Sequence, residues 1–496
     1  MPTWSNYLSL DLGAESGRIF LVRTDGRHIE TKECHRYQNE PVLVNGHLHW
    51  DYLKIFEELK KGITKAWALA GNDVTSLAID TWGTDFGFIN RKGEVVGLPF
   101  AYRDQKDERM IEEVRKQIPD DELYSLTGTQ IMKVNTLYQF LAIIKSDSPP
   151  MKAVEKMLFL PDLFNFLFCG RRVTEYTIAS TTQLLDPVKK TWQQKIFSRL
   201  GLPFEIMPEI VGPGTLLGKI LPEQAAEMEV PGLVVRTCAS HDTASAVVAA
   251  PVIPDGKPWA FISSGTWSLV GTEVTGPILN NEAFRANFTN EGGVCDTIRF
   301  LKNLTGMWLI QQLKSSLAFR GIRADYPNLI SAAESTTPFQ RFINTEDPTF
   351  NNPPDMVTAI ENYLTKTRQP KAVSPIEYAR CIFESLAYKY SEVIALLTRV
   401  TGKKFDRVYV IGGGARNDLL NSFTADASGL KVMVGPYEAT AIGNGLIQAM
   451  ADGIFKSLTE ARVAVKNSFE VKTFKPRVPD EWNKNYEHYK EVTKLS

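Results

Sequence analysis

The sequence predicts two α/β domains, each a mixed sheet flanked by helices, and three observations carry that prediction. The chain has 496 residues, whereas a single core usually stops growing before about 300. The order apolar strand, small-residue turn, apolar strand occurs at residues 7–23 and again from Trp259 through SSGTWSLVGTE. A third apolar strand, RVYVI (407–411), runs straight into Gly412-Gly413-Gly414 and then a helix, an order that suits a bound nucleotide. The two hairpins form a weak internal repeat. Facing one another across a cleft, they would make a phosphate clamp, with a boundary near residues 244–251 dividing the chain into 1–244 and 245–496.

The elements follow in order. Residues 7–23 read as two strands around the turn DLGAESG. Leu53, Phe56, Leu59, Ile63 and Trp67 recur at three-to-four spacing and predict a helix with Asp51 as its N-cap. SLAI (76–79) is a buried strand ending at Asp80, and a hairpin is expected around Arg91-Lys92-Gly93. Residues 208–231 are polar, proline-bearing and weakly patterned. Strands return at 233–235 and 259–262. The C-terminal half is mostly helical up to the strand 407–411, and 431–434 reads as a further strand. Gly443 and Gly445 interrupt a helical pattern, which predicts close packing there. The charged tail 480–494, with Trp482, Tyr486 and Tyr489 interleaved, reads as an amphipathic helix.

Composition narrows the function. The chain is 43% hydrophobic and 23% charged with net charge −1, ordinary for a globular protein and no footprint for nucleic acid or an acidic membrane. Its five cysteines are scattered without CxxC spacing, which argues against a disulfide framework or zinc site and fits a reducing compartment. No apolar run approaches the ~20 residues of a membrane span, and the N-terminal residues lack a signal-peptide pattern. A cytoplasmic protein is expected; oligomeric state is not legible.

Several segments could carry chemistry. In DLGAESGR (11–18), small residues would let backbone N–H groups approach phosphate oxygens. Asp11 could hold Mg²⁺ through water, and Arg18 adds positive charge; from this segment alone, an ordinary hairpin turn with a capping aspartate is the favoured reading. SSGTWS (263–268) offers hydroxyls and a glycine in the same context. Asp242, in ASHDTASAVVAA, is a candidate N-cap and also a candidate general base. A hydroxyl attacking a phosphoryl group needs only a positioned proton acceptor, because the transition state is loose. His241 and Thr243 stand beside it. DTWGTDF (80–86) combines two carboxylates, an aromatic and a glycine, the mixture of a polyol pocket that Tyr102-Arg103-Asp104 could line; two solvated loop aspartates and a core tryptophan read equally. His47 and His49 lack ligand partners at metal spacing and read as structural.

Taken together, DLGAESGR, IDTWGTDF, ASHDTASAV, SSGTWSL, NFTNEGG, LKNLTGMWLIQQL, IGGGARNDLLN and GPYEATAIGNG resemble, in this order, the FGGY carbohydrate kinases. The resemblance spans nearly the whole chain. It implies two actin/hexokinase-like (ribonuclease H-like) ATPase domains with an active-site cleft between them, 1–244 on the sugar side and 245–496 on the nucleotide side. It implies ATP and Mg²⁺ as co-substrate and metal, and a small deoxyketose as acceptor. ASHDTASAV, SSGTWSL and TNEGG–LKN resemble the branch that phosphorylates L-rhamnulose at its 1-hydroxyl. L-fuculose or another ketose is the alternative acceptor, with Thr84 and Asp85 among the residues that would decide; a non-catalytic sugar- or nucleotide-binding regulator is a remoter alternative. Residue by residue, the resemblance makes Asp242 the proton acceptor. It assigns Ala14, Glu15, Ser16, Gly17, Arg18, Thr266, Gln311 and Gly413 to the nucleotide, and Gly83, His241, Asp242, Thr243 and Asn303 to the sugar. The chain departs from the pattern at Glu15, where a small serine is common, and at TADAS (424–428), which replaces a CADAC segment and removes any disulfide there.

Overall fold

The computed structural model describes residues 4–104, 109–146, 149–252 and 254–494. The chain forms two compact units. The first comprises Met1–Val252, Glu273–Phe300 and Glu438–Phe469; the second comprises Ile253–Thr272, Leu301–Tyr437 and Glu470–Ser496. The chain therefore returns twice to its first unit.

The sheet of the first unit has the spatial order Leu216–Lys219, Val234–Arg236, Ser76–Thr81, Ser5–Leu12, Ser16–Thr24, Ile29–Gln38. The strand Ser5–Leu12 pairs antiparallel with Ser16–Thr24 and parallel with Ser76–Thr81, which pairs parallel with Val234–Arg236. Strands buried on both faces read as continuous apolar runs, and Leu8, Leu10, Leu77 and Ile79 are fully buried. The helix Tyr52–Leu69 follows as the spacing predicts, with the Lys54 N–H donating to Asp51 Oδ1 at 3.0 Å.

The second unit repeats this connectivity. The strand Ala260–Ser264 pairs antiparallel with Trp267–Val274 and parallel with Arg407–Ile411, which pairs parallel with Lys431–Val434. The internal repeat is thus a repeat of topology: a hairpin, then two parallel crossovers. In both units the loops after the hairpin's first strand and after the first crossover strand emerge at one end of the sheet, where open α/β sheets bind ligands.

The weakly patterned residues 208–231 form the strands Glu209–Val211 and Leu216–Lys219 and the helix Pro222–Met228. Leu216–Lys219 is an edge strand, and half-exposed edges carry no apolar run to read. Around Arg91-Lys92-Gly93 there is a turn closed by one bridge, Ile89 to Val95, but the strand Phe86–Ile89 pairs with Lys156–Phe159. Burial decides the partner: Phe86, Phe159, Phe140 and Trp192 belong to one apolar cluster, each ring contributing roughly 1.5–3 kcal/mol.

The helix Ala439–Ala451 lies across the first unit's sheet and explains both of its glycines. A Cβ on Gly443 would lie 1.8 Å from the Ser245 carbonyl oxygen, and one on Gly445 would lie 2.6 Å from Val22 Cγ1. Only glycine lets this helix touch the helix Asp242–Val248 on one side and the strand Ser16–Thr24 on the other.

Candidate active site

Sheet register brings the carboxylates of the first unit together. Asp11 stands opposite Arg18 in the antiparallel pair and opposite Asp80 in the parallel one. Beyond Asp80 the sheet is prolonged by a single bridge between Thr81 and His241, with the Thr81 N–H donating to the Ser240 carbonyl at 2.9 Å. Asp242 follows at once as the first residue of its helix, with His241 in the N-cap position. Asp11, Asp80 and Asp242 therefore come from three neighbouring strand ends.

Their surroundings differ. Asp11 is 2% exposed and Asp80 fully buried, whereas the Asp242 side chain is 31% exposed. Burial raises the Asp11 carboxyl, opposed by the Arg18 guanidinium at 2.6 Å and reinforced by the Asp242 and Glu438 charges. Asp80 is pushed well above the usual carboxylate range, first by burial and then by Asp11. Asn444 donates to its Oδ2 at 2.6 Å, while Oδ1 is buried without a hydrogen-bond partner. Arg18 also contacts Glu438 at 2.6 Å.

Asp242 presents one oxygen and commits the other. The Thr243 N–H at 2.5 Å and Oγ1 at 3.2 Å both donate to Oδ1, and His241 Nε2 is 3.4 Å away. Among the described residues no hydrogen bond reaches Oδ2. The segment before it is clamped by Glu175, whose Oε2 accepts from the N–H groups of Thr177, Ile178 and Ser240. Thr177 Oγ1 in turn accepts from the His241 N–H at 3.1 Å. Burial lifts the Glu175 carboxyl to about 7.

The segment DTWGTDF divides its roles. Asp85, 1% exposed, accepts from the indole N–H groups of Trp50 at 2.7 Å and Trp82 at 2.8 Å, from the Tyr102 N–H and from Gln139. It pins two tryptophans in contact, ring centroids 4.4 Å apart. Gly83 and Thr84 form the bend between, Thr84 at φ 74°. Asp104 accepts from the Leu48 N–H and faces His47 Nδ1 at 3.0 Å, and His49 packs on Phe100, so both histidines are structural.

In the loop 13–16 the Gly13 N–H donates to the Ser16 carbonyl, and Glu15 is exposed while its carbonyl accepts from the Asn39 N–H. Ala14 and Ser16 are partly exposed. Gly17 has a packing reason, since a Cβ there would lie 2.2 Å from the Tyr37 ring.

The second unit gathers Thr266, Gln311 and Gly413. The Thr266 carbonyl accepts from the Gly306 and Trp308 N–H groups, tying the loop to the start of the helix Trp308–Phe319 that carries Gln311; Asn303 lies in the strand Ile298–Thr305 just before it. On the loop's other side Gly412 (φ 88°) and Gly414 pack against Ser264, where a Cβ would meet atoms at 2.9 and 2.1 Å. A Cβ on Gly413 would meet nothing within 4 Å. The glycine run thus combines two packing glycines with one that faces open space.

Sequence reading missed Glu175, Glu291, Arg299, Glu438 and Asn444. The only signal for Glu291 and Arg299 was their place in or beside the TNEGG–LKN block, and for Asn444 its place between two packing glycines.

Solved structures share this architecture. The ligand-bound xylulose kinase from Lactobacillus acidophilus superposes with a TM-score of 0.79 at 14% identity, over 98% of this chain and 97% of that one. Plasmodium falciparum glycerol kinase with ADP gives 0.77 at 15%, over 98% and 96%. At such identities the likeness is one of fold. Residues 6–249 match the N-terminal domain and residues 260–451 the C-terminal domain of the FGGY family of carbohydrate kinases, and the chain belongs to that family, whose sugar kinases use ATP. Among curated relatives, the rhamnulokinase of Bacteroides thetaiotaomicron is 38% identical over 485 residues, 98% of this chain and 99% of the relative. That of Bacillus subtilis is 38% identical over 473 residues, 95% of each. Among the described residues, no helix is long and apolar enough to cross a membrane.

Proposed function

We propose that this kinase transfers the γ-phosphoryl group of ATP to the 1-hydroxyl of L-rhamnulose, giving L-rhamnulose 1-phosphate and ADP in the cytoplasm. The observation that carries the reading is the asymmetric Asp242: Oδ1 is held by Thr243, and Oδ2 is left to accept a proton. The sugar 1-hydroxyl gives its proton to Oδ2 as its oxygen bonds to the γ-phosphorus, and the bond to the ADP oxygen breaks. With a loose transition state, positioning does most of the work. His241 and Thr243, fixed beside Asp242, join Gly83 and Asn303 as sugar contacts. Ala14, Glu15, Ser16, Gly17, Arg18, Thr266, Gln311 and Gly413 contact the nucleotide.

The residues present also fit Mg²⁺. Asp80 keeps one buried oxygen without a partner beside the Asp11 carboxylate, and among the described residues no group of three or more His, Cys, Asp or Glu is arranged to hold a metal directly. Such a place would suit a cation that retains most of its waters, and Asp11 and Asp80 would hold it through them. When bound, Mg²⁺ would neutralise phosphate charge.

The test is ADP release with Mg-ATP against L-rhamnulose, L-fuculose, L-ribulose and D-xylulose. The highest kcat/KM is expected with L-rhamnulose. Preference for L-fuculose would reassign the substrate, and no sugar-dependent ADP would remove the kinase reading.

A further inference from the structure

Behind Asp242 lies a buried chain of charge that the proton transfer does not itself use. Arg299, fully buried in the strand Ile298–Thr305, donates from Nε to the Gly292 carbonyl at 2.8 Å and from Nη2 to His241 Nδ1 at 3.1 Å. Its Nη1 lies 3.1 Å from Glu291 Oε2, which is itself 3.2 Å from His241 Nδ1. The other ring nitrogen, Nε2, is 3.4 Å from Asp242 Oδ1.

Two groups thus compete for Nδ1 and demand opposite protonation. A guanidinium can only donate, so Arg299 requires Nδ1 to carry a lone pair; a carboxylate can only accept, so Glu291 would require a proton there. Hydrogen-bond geometry is met by Arg299, whereas Glu291 Oε2 makes only a close approach. We propose that Arg299 is a positioning residue that fixes the tautomer of His241. By occupying Nδ1 it places the imidazole proton on Nε2, facing Asp242 Oδ1. Glu291 serves to hold the buried guanidinium.

The consequence is specific to the reaction. With Nε2 protonated, its N–H faces Oδ1 at 3.4 Å, a favourable charge–dipole contact beside the two hydrogen bonds from Thr243, and the carboxylate is held with Oδ2 turned to the substrate. With the proton on Nδ1, a lone pair would face Oδ1 and repel it, so the base would rotate. His241 also cannot itself take the sugar proton, because its lone pair is occupied. This deepens the reading of Asp242 as proton acceptor and rests on that reading for its effect on turnover; the tautomer does not.

The experiment is ¹⁵N NMR of the full chain carrying ring-labelled histidine, with the His241 signals assigned by their loss in His241→Asn. In the unsubstituted protein Nδ1 should show the unprotonated shift and Nε2 the protonated one. Because Arg299→Met strands a buried carboxylate, the paired variant Glu291→Gln/Arg299→Met is made beside it to preserve folding. With Arg299→Met alone the proton should move to Nδ1, facing Glu291, and in the paired variant the ring should lose its single tautomer; in both, kcat should fall about 10²-fold, the scale of a disturbed general base, with the KM for ATP unchanged. Glu291→Gln alone should keep the Nε2–H tautomer, and Arg299→Lys should restore part of it. A protonated Nδ1 in the unsubstituted protein, or an unchanged tautomer once Arg299 is gone, overturns the proposal. Absence of kinase activity on every sugar would leave the tautomer result standing and remove only its link to turnover.

Discussion

Asp11 and Asp80 stand opposite each other on neighbouring parallel strands, both buried, and the Asp11 charge helps lift the Asp80 carboxyl. Two acids so placed oppose ionisation unless a cation lies near, and Arg18 answers only the Asp11 side at close range. The fold therefore holds electrostatic strain where the proposed phosphate chemistry needs positive charge.

Asp80→Asn removes one of the two acids while retaining the shape. In metal-free buffer at pH 8 its thermal midpoint should match or exceed that of the unsubstituted protein, by up to about 1–2 kcal/mol in stability. The further rise on adding Mg²⁺ with ATP should shrink. Scanning calorimetry with and without Mg-ATP reads both, and an undiminished rise would remove Asp80 from the cation's surroundings.

Asp85→Asn tests a different kind of buried acid. Its carboxylate receives two indole N–H groups, one backbone N–H and one amide. An asparagine amide nitrogen would turn one acceptor into a donor facing donors. Stability should fall by about 2–4 kcal/mol in denaturant titrations. Because Trp50 and Trp82 lose their anchor, their fluorescence should shift toward that of solvent-exposed indole and the sugar KM should rise.

Gly443→Ala should act on catalysis from the far side of a helix. The added methyl would fall 1.8 Å from the Ser245 carbonyl oxygen, and the helix bearing Ser245 begins at Asp242. Overpacking of this kind costs typically about 1–3 kcal/mol. Moving that helix also displaces Asp242, the proposed base, so kcat should fall while the KM for ATP holds. Normal kcat in a destabilised protein would show that the strain is absorbed elsewhere.

These residues mark where sequence reading succeeded and stopped. The strand Arg407–Ile411 was legible because every residue in it is buried, which compels an apolar run. The loops were legible as turns from their glycine and small hydroxyl residues, and as candidate phosphate contacts only through the family resemblance. Gly443 was legible as a close contact but not as a contact with Ser245. Arg299 and Asn444 were legible only by their place in or beside recognisable blocks, not by their partners: Asn444 meets Asp80 across 364 positions of chain, and no local pattern encodes such a meeting. Asp85 was legible as chemistry yet serves packing, because a saturated carboxylate and a free one have the same letter.

Glu175 gives a pH prediction. Its carboxyl is raised to about 7 in the folded chain by burial, against about 4.3 in an unfolded one. Between those values the folded state holds more protons than the unfolded state, so this group makes stability fall as pH rises, by up to about 1.4 kcal/mol per pH unit. Glu175→Gln should flatten that slope between about pH 4.5 and 7, measured as unfolding free energy by urea titration at several pH values. An unchanged slope would mean that the three N–H donors on Oε2 keep the carboxylate ionised despite its burial.

Asp242→Asn bears most directly on mechanism. The amide keeps size and, through its oxygen, can retain the contacts from Thr243, but it cannot take a proton. A positioned base contributes about 10²–10⁴ in rate, so kcat should fall by about 10³ with both KM values within a few-fold of their starting points. Asp242→Ala should be no worse in kcat, since the lost function is the same, although it also removes the Oδ1 contacts and should raise the sugar KM. If Asn retains turnover within tenfold, the proton goes elsewhere. Asp11 and Asp80 are then poor substitutes, because both are buried while the Asp242 side chain is 31% exposed. Solvent would be the remaining acceptor, and the role of Asp242 would reduce to orienting the hydroxyl.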